Sequence, residues 1–83
     1  MVKGLYALFD KKADLYSDPK PAITDAVFVR LVQDMLREGN NQIANHPEDF
    51  SIVCVGEWNE NSGNLTHYEK PRMVSQVDIL NGE

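Results

Sequence analysis

Cysteine is almost absent from these 83 residues: Cys54 stands alone, so no internal disulfide can form. No cysteine–histidine pair has zinc-site spacing. The five glycines (Gly4, Gly39, Gly56, Gly63 and Gly82) are scattered singly, which excludes a glycine-rich phosphate loop. No Gly-x-Ser-x-Gly nucleophile elbow occurs. Apolar runs are short, and none approaches the roughly 18 residues of a membrane-spanning helix. The N-terminus lacks the basic start, apolar core and small-residue cleavage site of a signal peptide. A lone cysteine without a secretion signal points to a reducing cytoplasm. Cations are scarce as well, with eight Lys and Arg against thirteen Asp and Glu and a net charge of −5. That balance argues against indiscriminate duplex binding, in which neutralisation of phosphates supplies most of the affinity.

A chain of this length makes one domain, spanning 1–83, and buries only about 60% of its unfolded surface. With neither disulfide nor metal to add stability, self-association is the expected supplement. The charges are unevenly spread. Lys3, Lys11, Lys12 and Lys20 are half of the basic residues, whereas Asp25 to Glu60 holds seven acids against Arg30 and Arg37.

Leu5 to Phe9 is apolar on both faces and reads as a central strand. Asp10 to Pro21, rich in Lys, Asp, Ser and Pro, reads as a loop. Thr24 offers an N-cap, and Val27, Phe28, Leu31, Val32, Met35 and Leu36 form one helical stripe. Arg30 and Asp34 stand at i,i+4, and Gly39 suits the left-handed stop. Asn40 to Asn45 reads as a polar connection anchored by Ile43. His46-Pro47-Glu48-Asp49 reads as a tight turn with a carboxylate to bond backbone amides. Phe50 to Trp58 alternates as a strand, with Phe50, Ile52, Cys54, Gly56 and Trp58 on one face. Asn59 to Asn64 is a hairpin turn. Leu65 to Tyr68 begins the return strand, Pro71 breaks it, and Met73 to Leu80 fits either a short helix or an edge strand. The fold class is α+β: β-α-β-β plus a short C-terminal element, with one helix on one face of a small antiparallel or mixed sheet. Open edges of such a sheet invite pairing between two subunits.

The candidates for chemistry reduce to structural roles. Cys54 lies between two valines in mid-strand, where a thiol is buried and inert. Glu48 and Asp49 are neighbours in a turn and are not expected to converge on one atom. A metal set of His46, Glu48 or Asp49, and His67 requires the hairpin to fold back, and no spacing asks for it. No catalytic residue, metal or cofactor is expected, and the protein reads as non-enzymatic. Binding is a different matter. Single strands are held by aromatic platforms beside a basic groove. Tyr6, Phe9 and Tyr16 lie near Lys3, Lys11, Lys12 and Lys20, with Lys11, Lys12, Tyr16 and Lys20 the candidate contacts; Trp58 and Tyr68 lie near Lys70 and Arg72 in a second region. If the two meet on the sheet they make a single-strand groove; otherwise Phe9 and Trp58 belong to the core and the lysines are solvated.

Leu5-Tyr6-Ala7-Leu8-Phe9-Asp10 with Lys12-Ala13 and Tyr16, followed by a capped helix and His46-Pro47-Glu48-Asp49-Phe50, resembles a viral family. Val55-Gly56-Glu57-Trp58 and Asn61-Ser62-Gly63 fit the same pattern. The family is the small non-structural protein of gokushovirus-type microviruses, phages with small single-stranded DNA genomes. The resemblance implies a replication-stage protein of the host cytoplasm, absent from the mature capsid, that supports single-stranded genome synthesis or packaging and binds DNA. It supplies no catalytic residues. Two departures are Asn45, where a lysine is expected, and the acidic middle. The expected partners are single-stranded DNA and a second copy. The alternative is an adaptor that meets a viral or host replication protein through an acidic helix face or a sheet edge. A metal-dependent nuclease is the third reading.

Overall fold

The computed structural model describes residues 1–80. Five strands form one sheet: β1 (Val2–Asp10), β2 (Leu15–Tyr16), β3 (Lys20–Ala22), β4 (Phe50–Asn59) and β5 (Asn64–Gln76). The order is β2-β1-β4-β5, with β3 also paired to β1, and every pairing is antiparallel. The helix α1 (Asp25–Glu38) lies on one face, and a single-turn helix α2 (Gln42–Asn45) and a 3-10 turn (Pro47–Asp49) lead into β4. The architecture is the expected α+β sheet with one main helix, and the open choice between antiparallel and mixed resolves to antiparallel.

The helix obeys its sequence signals. Thr24 Oγ1 accepts the Val27 amide at 3.3 Å, and Gly39, at φ +69°, ends the helix with its N–H on the Met35 carbonyl. Asn41 then serves two helices at once. Its Nδ2 donates to the Met35 and Gly39 carbonyls, and its Oδ1 caps α2 by accepting the Ala44 amide at 2.8 Å. Phe28 and Val32 are buried, whereas Leu31, included in the apolar stripe, is half exposed. Asp34 is paired by Arg37 at 2.7 Å rather than by Arg30 at i,i+4.

Four local expectations are corrected. The loop at 10–21 contains β2 and β3, which cover the edge of β1 with two- and three-residue ladders. The connection at 40–45 contains α2, with Ile43 buried. The 3-10 turn is closed by the Asp49 amide on the His46 carbonyl at 3.0 Å, not by a carboxylate side chain. Finally, Pro71 does not end the last strand. Gly56 pairs with His67 and Cys54 with Arg72, so Tyr68–Pro71 loop out of the ladder opposite the single residue Val55. A proline in such a bulge removes no ladder bond. The strand therefore continues to Gln76, and the segment from Met73 resolves into strand followed by a turn.

The main core lies between α1 and the sheet. Tyr6, Phe28, Val32, Ile43, Phe50, Ile52, Cys54 and Val77 are buried in one cluster. Paired residues of a sheet share a face. Tyr6, Cys54 and Arg72 are therefore consecutive across β1, β4 and β5 on the helix side. Over this row sits Asp25, in the first turn of α1. It accepts the Tyr6 hydroxyl at 2.5 Å and both Arg72 guanidinium nitrogens, at 2.8 and 2.9 Å. The Tyr6 ring also stacks on Phe28, with centroids 5.1 Å apart. Cys54, beneath this clasp, is 1% exposed and takes the core role expected of it.

The opposite face carries the other parity: Leu5, Ala7 and Phe9 on β1, Ser51 and Val53 on β4, Met73 and Gln76 on β5. A bulge at Val55 shifts the phase, so Gly56 and Trp58 lie on this second face with their partners His67 and Leu65. Trp58 therefore does not share the face of Phe50, Ile52 and Cys54, as unbroken alternation predicts.

Arg72 first, then Tyr6, holds the Asp25 carboxyl down to about 2 from an ordinary 3.8, against the opposing effect of burial. A carboxyl depressed in the folded state stabilises the fold above its unfolded pKa and loses that contribution as the pH falls toward the folded value. Stability from this clasp is thus full at neutral pH and is lost between about pH 4 and pH 2. Both partners are about half exposed, so screening limits the ion pair to about 1 kcal/mol. Asp25→Asn is expected to lower the unfolding free energy, read from urea titration, by that amount at pH 7 and to match the parent near pH 2. A separate constraint sits at Gly56, where a Cβ would stand 2.2 Å from the Thr66 carbonyl oxygen. That oxygen is backbone and cannot swing away. Gly56→Ala is expected to cost about 1–3 kcal/mol, read as a lowered Tm.

Candidate nucleic-acid interface

The β1–β2 turn is built by Asp10. Its Oδ1 accepts the amides of Lys12 and Ala13 at 3.0 and 3.2 Å, and its carbonyl accepts Asp14 N–H at 2.8 Å. Asp14 takes φ +58°, which short polar side chains tolerate. Beyond the turn, Ser17 and Leu8 exchange two bonds of 2.8 Å, Ser17 N–H to the Leu8 carbonyl and Leu8 N–H to Ser17 Oγ. Lys11 and Lys12 are thereby fixed at one end of the sheet. Lys11 points back: its Nζ donates to Gln76 Oε1 at 2.7 Å and to the Glu48 carbonyl at 3.4 Å. Gln76 Oε1 also accepts Ser51 Oγ at 2.9 Å, so this lysine ties the turn to the ends of β4 and β5. Lys12 is exposed and forms no ion pair among the described residues.

Tyr16 stands opposite Phe9, with ring centroids 4.6 Å apart, and is half exposed on the second face. Lys11, Lys12 and Tyr16 are therefore near one another, and Phe9, expected beside the lysines or else in the core, is the fourth member. Phe9 is half-buried outside the main cluster, so neither placement in the core nor full exposure describes it.

The other predicted residues go elsewhere. Trp58 is opposite Lys3, six strand residues from Phe9, or about 20 Å along the sheet. Lys20, opposite Tyr6, is on the helix side, where it lines a cleft of about 440 Å³ with Leu8, Phe28, Leu31 and Met35. Lys70 rides in the Tyr68–Pro71 bulge. Arg72 is held bidentately by Asp25. The two basic regions do not meet as one groove.

The titratable groups that move furthest are structural. Burial and the Asp25 carboxylate push the Tyr6 phenol up, and Asp25 does the same to Arg72. A hydrogen bond to Glu57 pushes Tyr68 up to about 12. Lys3 lowers Glu60 through a 3.0 Å ion pair. His46, Glu48 and Asp49 come closer than adjacency in the chain suggests, with ligand atoms all within 4.8 Å of one another. His46 and Glu48 are well exposed, their nearest approach being 4.0 Å. His67, opposite Gly56, is about 20 Å up β4 from this turn and does not complete the set.

A model of the Phage ORF5 protein family matches residues 3–79. The chain belongs to that family. The match covers β1 through the end of β5, together with the turn, aromatic pair and clasp described above. No curated protein and no solved structure gives a significant match. Membership makes this a phage protein, the coarser part of the expected resemblance. Among the described residues no helix is long and apolar enough to cross a membrane.

Proposed function

We propose that this Phage ORF5 family member is a non-enzymatic accessory protein of a gokushovirus-type, single-stranded DNA phage. It acts as a dimer in the host cytoplasm and supports replication or packaging of the genome by binding the single strand. The observation that carries this reading is the corner where the turn bearing exposed Lys12 adjoins the Phe9–Tyr16 pair. An exposed ring offers a face to any base, and Lys12 meets an adjoining phosphate, a pairing that serves single strands without reading their sequence. The net charge of −5 keeps the contact short and salt-sensitive. Arg72 and Lys20, committed to the helix side, take no part.

The adaptor reading has its own observation: the apolar cleft between α1 and the segment from Ser17 to Lys20. The outer face of α1 does not support the acidic docking expected of it, because Asp34 and Glu38 are balanced there by Arg30 and Arg37. A specific protein retained after nuclease treatment, and lost on Leu31→Asp, is the outcome this reading expects.

Fluorescence anisotropy with a labelled oligothymidine distinguishes the two. The parent protein is expected to bind at low salt and to weaken steeply toward physiological salt. Tyr16→Ala should lose roughly 1–3 kcal/mol, about 5- to 150-fold in Kd. Lys12→Glu should weaken binding and flatten the salt dependence. Arg72→Ala should lower stability and leave the affinity of the folded protein unchanged. No binding at either salt would remove direct DNA contact from the reading.

A further inference from the structure

The turn between α2 and β4 gathers an imidazole and two carboxylates, and we propose that His46, Glu48 and Asp49 bind a divalent transition-metal ion. The site stands apart from the DNA reading above and does not depend on it.

Convergence in this turn has a physical cause. Side chains three residues apart eclipse one another in a 3-10 turn, which sets His46 over Asp49. Pro47, between His46 and Glu48, has its φ fixed by the ring. One ligand atom from each of the three residues comes within 4.8 Å of the other two. Bonds from a metal ion to nitrogen and oxygen are about 2.0–2.2 Å long, so ligand atoms around one ion stand about 3–3.5 Å apart. Closing that difference needs only side-chain rotation, because His46 and Glu48 are 63 and 61% exposed.

The backbone beneath them is tied from several sides. His46 N–H donates to the Gln42 carbonyl at 2.9 Å, and the Asp49 carbonyl accepts Lys11 N–H at 2.8 Å. Lys11 is the cation bonded to this turn, yet its Nζ goes to the Glu48 carbonyl and Gln76 rather than to either carboxylate. Among the described residues no cation pairs with Glu48 or Asp49 apart from His46 itself, at 4.0 Å. Two negative charges are held side by side without a compensating one. A bound ion supplies it.

The donor set defines the class of ion. One imidazole with two carboxylates suits Zn²⁺ and Mn²⁺. Ca²⁺ takes about six to eight oxygens, more than this turn offers. Three protein ligands leave the remaining positions of the ion open to water, unlike a closed structural zinc site.

Titrating the full chain with Zn²⁺ by calorimetry, and with Mn²⁺ by paramagnetic broadening of its amide resonances, tests this. One Zn²⁺ per chain is expected, and Mn²⁺ should broaden residues 46–49 and Lys11 first. His46→Gln, Glu48→Gln and Asp49→Asn should each weaken Zn²⁺ binding at least tenfold. None of the three is buried, so the far-UV circular dichroism should not change. Asp14→Asn removes the same charge from the exposed β1–β2 turn and should bind Zn²⁺ like the parent, as should His67→Gln. No binding even at millimolar Zn²⁺, unchanged affinity in the three ligand variants, or loss of binding in either control would each overturn the proposal. So would Ca²⁺ binding as tight as Zn²⁺, which would make the turn an ordinary acidic surface. No arm of the test contains DNA, so its failure and that of the DNA reading are told apart.

Discussion

The carboxylate of Asp25 accepts hydrogen bonds from strands that are not neighbours, Tyr6 on β1 and Arg72 on β5, reaching over Cys54 on the strand between them. Helix, first strand and last strand are fixed relative to one another by this single side chain. Apolar packing alone does not set the angle at which a helix lies on a sheet. A bidentate guanidinium and a phenol converging on one carboxylate do, because their directions are fixed. The stacking of Tyr6 on Phe28 extends the constraint one turn along α1.

The clasp also governs what the rest of the molecule can offer a ligand. It takes the only arginine of β5 out of the pool of cations available for phosphate, and it seals the thiol of Cys54 beneath it. What remains for recognition is divided between surfaces: the lysine-bearing turn with its aromatic pair at one corner, an apolar cleft beside α1, and an apolar sheet face with little charge. Each suits a different kind of partner. Their separation follows from which residues of each strand point toward the helix.

Elements carried by local patterns were legible in the sequence. The helix is marked by Thr24, its apolar stripe and Gly39, β1 by an unbroken apolar run and β4 by alternation. The family resemblance rested on the same segments, and the phage family itself is the part that the family match supports. What escaped was non-local. Two- and three-residue strands such as β2 and β3 have no pattern of their own and exist because β1 presents an edge. β5 runs past Pro71 because a bulge absorbs the proline, and the bulge depends on the closeness of Gly56 to the Thr66 backbone. The site suffered most. Lysines and aromatic residues can be grouped along the chain, but the face on which each falls depends on parity, and one extra residue at Val55 moved Trp58 to the other side. The pairing of Tyr16 with Phe9 was within reach, since Phe9 has opposite parity from Tyr6. The capture of Arg72 by Asp25, 47 residues away, was not.

The antiparallel pairing of β1 with β4 joins Asp10 to Phe50 and Val2 to Asn59, separations of 40 to 57 residues. During synthesis, the strand that will occupy the middle of the sheet emerges first and waits for its principal neighbour. β2 and β3 can cap one side of it early, and α1 can coil beside it, but the ladder that completes it closes only after β4 has left the ribosome. The β4–β5 hairpin, in contrast, needs only a six-residue span to turn. Folding is therefore expected to begin near the C-terminus and to capture β1 last. High contact order of this kind slows folding and prolongs the exposure of Leu5 to Phe9.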